Sequence, residues 1–236
     1  MATRTPRGFG QYGGLARAVE KVGERWALLI VRDLLAGARR YSDLKAGLPR
    51  IPTNILSDRL KELQAAGVIR RVPAVRGGYE LTSLGRALEP VVLELERWGW
   101  AASAEPAEGE VLTADALGVT LRAAFRGHEA ERLPPTEYVV HAGDASASAL
   151  VVGRMLDVMD VGPDALPQPQ RRLDIGAPED VVEFSIPLQG LADLLGDGEP
   201  EVVVLAGRRE LVDRFRRTFH IEPLPGAESS PAAHAA

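Results

Sequence analysis

The chain has 236 residues, 45% of them hydrophobic and 26% charged, enough for two domains of ordinary size, each with its own core. It contains no cysteine, which excludes disulfides, thiolate metal sites, a cysteine nucleophile and thiol redox sensing in one step. The net charge of −5 conceals a split: residues 1–105 carry 17 Lys plus Arg against 11 Asp plus Glu, and the remainder 11 against 22, so the first part can hold a phosphate backbone that the second would repel.

Residues 2–6 lack the apolar stretch of an export signal, and no apolar run approaches the roughly 18 residues of a membrane span, so a cytoplasmic, nucleoid-associated location with no membrane partner is the expectation. Residues 15–23 predict a short amphipathic helix with Leu15, Val19 and Val22 on one face, ended by Gly23. Residues 26–35 predict a second, more apolar helix, with Leu29, Ile30 and Leu34 suited to burial and Gly37 as its stop. Ser42 is placed to cap a short helix through Leu48, and a tight Pro49–Pro52 connection leads to a helix over residues 53–66 that Gly67 closes. A strand over 68–72, a Gly77-Gly78 turn and a return strand over 79–81 follow. Two short helices joined by a turn and then a hairpin make a helix-turn-helix with a wing.

From Thr82 the chain is helical again, and Leu84, Leu88, Val91, Leu95 and Trp98 step by four, three, four and three, a heptad seam. The seam has two readings, a dimer contact or a helix laid on its own core, and Pro90 predicts a kink or restart within it. Ala, Ser, Glu, Pro and Gly then mark a linker at 104–110, dividing a first domain at 1–103 from a second at 111–222. The second domain predicts a helix over 113–125, strands over 138–141, 148–152, 155–161, 172–175 and 181–186, a helix over 188–195, an apolar run at 202–205 and a last helix carrying Leu211, Val212, Phe215 and Phe219. The whole is α+β in two domains, and residues 223–236, rich in Pro, Ala and Ser, read as a disordered tail.

On a helical wheel of residues 53–64, Leu56, Leu60 and Leu63 share one face and Asn54, Ser57, Asp58 and Lys61 face outward, where a major groove would meet them. Thr53, Asn54, Ser57, Asp58 and Lys61 form the base-reading set: Asn suits adenine, Ser and Thr suit bases or phosphates, and Lys suits guanine or the backbone. Asp58 accepts from cytosine or pairs with Lys61. Arg39, Arg40 and Ser42 stand where the first helix of the motif crosses the sugar-phosphate backbone, Arg59 lies to one side of the wheel, and Arg70, Arg71 and Arg76 decorate the wing; these form the backbone set.

The segments Ala16 to Gly23, Glu24 to Leu35, Arg40 to Leu44 and Asn54 to Leu63 resemble the HxlR (MarR-like) winged-helix regulators over about residues 10–100. That resemblance implies a homodimer on a palindromic operator, with the Leu84 to Trp98 seam and the first helix in the dimer contact. Family members often carry a cysteine just before the first helix, used by some as a thiol switch; Gly13 stands there in this chain, so that route is closed. Residues 178–219 are similar to the sterol-carrier-like domain attached to some members, which implies an apolar cavity and a hydrophobic small-molecule effector.

No Gly-rich phosphate loop, nucleophile elbow or His-Glu-x-x-His pair occurs, and His128, His141, His220 and His234 lack metal-ligand spacing, so neither an enzyme, a metal nor a cofactor is expected. The expected function is a homodimeric, sequence-specific DNA-binding regulator, recognising an inverted repeat and tuned by a hydrophobic ligand; the alternative is a lipid-type carrier dimerised by a degenerate winged helix.

Overall fold

A computed structural model describes residues 8–72, 77–102, 106–161 and 176–223. The chain forms two compact units, Met1–Val92 and Leu93–Ala236.

The first unit begins with α1 (Gly14–Val22), α2 (Ala27–Leu35), the two-residue strand β1 (Arg39–Arg40), α3 (Tyr41–Gly47) and α4 (Thr53–Ala65). The hairpin of β2 (Ile69–Val72) and β3 (Gly78–Leu81) follows, then the short helix α5 (Ser83–Arg86) and the start of α6 (Glu89–Ala102). Strand β3 is central, antiparallel to β1 on one side and β2 on the other. The apolar stripe of α4 behaves as its spacing predicts, with Leu56, Leu60 and Leu63 all buried against a core that includes Ile30, Leu34, Leu44 and Ile51. Gly67 takes a left-handed φ of 74°, which lets the chain turn out of α4 into the wing at no steric cost.

Thr82 joins the wing to the helices after it: its hydroxyl donates to the Gly67 carbonyl at 2.6 Å and accepts from the Gly85 amide at 3.2 Å as an N-cap. The predicted restart at Pro90 occurs. Helix α5 ends at Arg86 and α6 begins at Glu89, placing Pro90 in a first turn where its missing N–H has no helical partner to lose. Leu84 therefore lies on α5, Leu88 in the joint, and Val91, Leu95 and Trp98 along α6. Leu84, Val91, Leu95 and Trp98 are 54%, 48%, 46% and 60% exposed, Leu88 is half-buried, and Leu15 on α1 is 79% exposed. Among the described residues no helix is long and apolar enough to cross a membrane.

The packing divides inside α6, upstream of the stretch at 104–110 expected to separate the domains. The reason lies in the second half of that helix. Glu96 accepts hydrogen bonds from the Trp100 indole at 2.9 Å and from the Thr120 hydroxyl, Arg97 donates to the Ala123 carbonyl, and the Trp100 ring packs on the second unit's core.

The rest of that unit comprises α7 (Ala114–Ala124), capped by Thr113, α8 (Gly127–Ala130), β4 (Thr136–Ala142), β5 (Ala145–Val152), β6 (Met155–Asp160) and β7 (Asp180–Ile186). A 3-10 turn (Leu188–Gly190), α9 (Leu191–Leu195), β8 (Val203–Ala206) and α10 (Glu210–Thr218) complete it. The five strands lie in the order β6-β5-β4-β7-β8, with β4 and β7 parallel and the other pairs antiparallel. Strict alternation along β4 buries Thr136, Tyr138, Val140 and Ala142 on the face shared with Val182, Phe184 and Ile186 of β7. Phe215 meets Tyr138 and Phe184 edge-on, each at 5.3 Å, and stacks on Phe219 at 4.5 Å. Burial pushes the Tyr138 phenol up, opposed by hydrogen bonds with Thr136 and Thr218. His141, on the other face, bonds Ser146 at 2.7 Å and Glu183 at 2.9 Å. The strand expected at 172–175 and all but the first residue of the tail expected at 223–236 lie outside the described residues.

Candidate nucleic-acid interface

The helix α4 is held against α3 at its first turn. The Tyr41 hydroxyl donates to the Thr53 carbonyl at 2.9 Å and accepts from the Ser57 hydroxyl at 3.4 Å. Asp43 anchors the start of α3 by accepting from the Arg40 amide at 2.9 Å. Between these helices and the wing opens a cavity of about 450 Å³. Arg40, Tyr41 and Ser42 line it from the start of α3, Ser57, Lys61 and Gln64 from α4, and Arg71 and Tyr79 from the hairpin. The Arg71 guanidinium lies over the Tyr79 ring, 4.4 Å from its centroid, which restricts its rotamers before any ligand arrives. Three cations and several hydroxyl and amide groups thus converge here, and among the described residues no carboxylate lines the cavity. An anion with many oxygens would be held by charge-assisted hydrogen bonds.

Of the base-reading set, Thr53, Asn54, Asp58 and Lys61 are exposed on α4, and Ser57 is half-buried by its bond to Tyr41. Asp58 pairs with Lys61 at 3.4 Å across one turn, the second of the two roles open to it.

The backbone set divides. Arg40 and Arg71 line the cavity. Arg39 does not reach the surface: it is 1% exposed, because residues 39 and 40 form a strand and successive strand residues point to opposite faces. Ser42 is exposed on the cavity wall but does not cap α3, which starts at Tyr41 with Arg40, two residues before Ser42, in the cap position. Arg70, on the opposite side of β2 from Arg71, pairs with Glu80 at 2.6 Å. Arg59 pairs with Glu24 at 3.2 Å and Glu62 at 2.5 Å on the far flank of α4. Arg76 lies outside the described residues.

Sequence reasoning missed Tyr41, Gln64 and Tyr79. Gln64 was within reach, since it follows Ser57 and Lys61 by seven and three positions and so shares their side of the helix. Tyr41 and Tyr79 depend on contacts across the fold, which spacing along one element does not reveal.

A helix-turn-helix followed by a wing, with an exposed polar helix face beside a cationic groove, defines a winged-helix DNA-binding module. The chain belongs to the HxlR-like helix-turn-helix family, whose model matches residues 21–106. It is 43% identical over 86 residues to the HTH-type transcriptional regulator YvaP of Bacillus subtilis, covering 35% of this chain and 80% of that one. It is also 43% identical over 89 residues to the HTH-type regulator Rv3095 of Mycobacterium tuberculosis, covering 36% of this chain and 56% of that protein, so it spans about half the length of that relative. Among solved structures, quinone-bound YodB from B. subtilis is 31% identical, with 38% of this chain and 97% of that chain covered and a TM-score of 0.34. All of these matches cover between a third and two-fifths of the chain.

Proposed function

We propose that the chain is a homodimeric transcription regulator that binds an inverted-repeat DNA operator through α4 and is tuned by a hydrophobic small molecule in its second unit. The observation that carries the DNA reading is the pairing, on one helix, of an exposed face bearing Asn54, Asp58 and Lys61 with a flank that opens into the Arg40, Lys61 and Arg71 groove. Base-edge contacts specify sequence and phosphate contacts position the helix; this arrangement supplies groups for both. Thr53 and Ser57 complete the reading face, with Ser57 held by Tyr41.

Dimerisation is supported by the exposed apolar residues of α1, α5 and α6, which a second copy would cover. Ligand control rests on the resemblance of residues 178–219 to sterol-carrier-like domains. Thiol control has no residue to act through. The carrier reading leaves the polar face of α4 without a role.

The test is genome-wide capture of bound DNA, then titration of the recovered site with purified protein at several salt concentrations, with and without long-chain acyl ligands. Tight, salt-sensitive binding to an inverted repeat is the expected result, and a ligand that tunes it must bind the DNA-competent and incompetent states unequally. Absence of specific sites would overturn the regulator reading. Acyl binding without any change in DNA affinity would overturn the coupling alone.

A further inference from the structure

A second cavity, of about 380 Å³, lies against the same helix. Its walls include Pro52 at the cap of α4 and Ile55 and Arg59 on that helix, with Arg25 and Trp26 ahead of α2 and Arg50 from the turn between α3 and α4. At about 100° per residue, Pro52, Ile55 and Arg59 fall on the side of α4 roughly opposite Ser57, Lys61 and Gln64 of the first cavity, with Asn54 and Asp58 between the two sets. The two cavities therefore straddle the reading face.

The flanks also share a device. Arg71 lies over the Tyr79 ring on one, and the Arg25 guanidinium lies over the Trp26 ring, 5.5 Å from its centroid, on the other. Arg25 and Arg50 are exposed. The carboxylate of Glu24 shares this cavity and would oppose an anion, but Arg59 holds it in an ion pair at 3.2 Å.

We infer that Arg25 and Arg50 bind phosphates of the DNA strand opposite the one held by Arg40 and Arg71. This rests on the DNA-binding reading above and follows from dimensions. An α-helix with its side chains is about 10–12 Å across. The major groove is about 12 Å wide. A helix seated there has a phosphate ridge on each flank, one from each strand, and each flank of α4 presents an arginine ordered on an aromatic ring. Arg59, shared between Glu24 and Glu62, acts here as a positioning residue that holds the Glu24 carboxylate against the flank of α4.

The test uses the full-length protein, carrying Arg25→Ala, Arg50→Ala, both together, or Arg71→Ala, each checked for an unchanged melting temperature. Binding to the operator duplex and to random duplex is measured between about 50 and 200 mM salt, a range over which phosphate contacts dominate the change in affinity. Each replacement on the second flank should flatten the salt slope by about 0.9 and the double variant by about 1.8. Losses of affinity should be equal on operator and random DNA. Phosphate-ethylation interference, mapped strand by strand within one half-site, should lose its signals on one strand of that half-site in the Arg25→Ala/Arg50→Ala protein and on the other in Arg71→Ala.

An unchanged slope in the double variant, with Arg71→Ala flattened, overturns the assignment while leaving the DNA reading intact. So does loss of signals on the same strand of one half-site in both proteins. A slope unaffected by the double variant, together with Arg25-dependent binding of inorganic phosphate or benzoate in the absence of DNA, would make the cavity a small-anion site and also overturn it. A wild-type chain with no salt-dependent DNA binding removes the underlying reading and this assignment together.

Discussion

The two units place their chemistry on opposite sides of their surfaces. The first has a small sheet and short helices and turns its polar residues outward, along one face and both flanks of α4. The second wraps α7, α9 and α10 around a five-stranded sheet and turns aromatic rings inward. The net charges follow the same division, basic before residue 105 and acidic after it. A polyanion must be met at the surface by groups that remain hydrated until contact, whereas packed aromatic rings stabilise a fold by excluding water from its interior. Replacements in the core of the second unit should therefore leave the DNA-binding surface of the first readable.

The largest effect should come from Leu95→Asp. It places a carboxylate in the apolar seam of each protomer, a desolvation cost of roughly several kcal/mol per dimer that a contact of this kind cannot absorb. The expected outcome is a protein that sediments as a monomer and binds an inverted repeat no better than a half-site. A variant that still sediments as a dimer would place the self-contact elsewhere. Phe215→Ala comes next. It removes the ring shared by Tyr138, Phe184 and Phe219 from a fully buried position, at a cost of about 3–5 kcal/mol. Hydrogen exchange should show protection lost across β4, β5, β7 and α10 but kept in α2 and α4. Equal loss in both units would show that they unfold as one and would break the comparison. Asn54→Ala sharpens it from the other side: it should weaken operator binding by about 1–3 kcal/mol with little change on random DNA and no change in melting temperature. Equal losses on both duplexes would remove Asn54 from base reading.

The same contrast explains what could be read in the sequence. The elements of the first unit were legible because each is short, amphipathic and punctuated: Leu56, Leu60 and Leu63 mark the buried side of α4, Gly67 its end, and Gly77 the wing turn. In the second unit, β4, β5 and β7 were found with their ends trimmed and β6 one residue too long, whereas α8, with only four residues, carried no periodic signal. Arg39 and Arg40 look equivalent in sequence, and only the pairing of both with β3 shows that one faces the core and the other solvent. The expected linker had the right composition, but composition does not reveal that Glu96, Arg97 and Trp100 bond to α7 upstream of it. The second flank of α4 was invisible because it is assembled from Arg25, Arg50 and Ile55, which lie on three separate segments.

The smallest predicted effect concerns an ion pair near the surface of the second unit. Asp180, at the start of β7, accepts from Arg214 at 2.8 Å and from Arg208 at 2.7 Å, and Arg214 also donates to Thr136 at 3.0 Å, so α10 is tied to β4 and β7 through one guanidinium. Arg214, seconded by Arg208, holds that carboxyl below the ordinary aspartate value near 3.8. In the unfolded chain the group returns to its ordinary value, so it takes up a proton there before it does in the folded state. The resulting stabilisation is complete above the unfolded value and falls away as the pH drops through it toward the folded one. Solvent screening keeps the contribution small. Asp180→Asn should thus be less stable than the wild type at pH 7, with the gap narrowing as the pH falls below the unfolded value near 3.8 and the wild-type carboxylate is protonated. Chemical denaturation across that range, followed by exchange in β7 and α10, measures the gap. A deficit that persists unchanged at low pH would show that the position matters through hydrogen-bond geometry alone, and a change in α2 or α4 would show that the acid-sensitive tie reaches beyond its own unit.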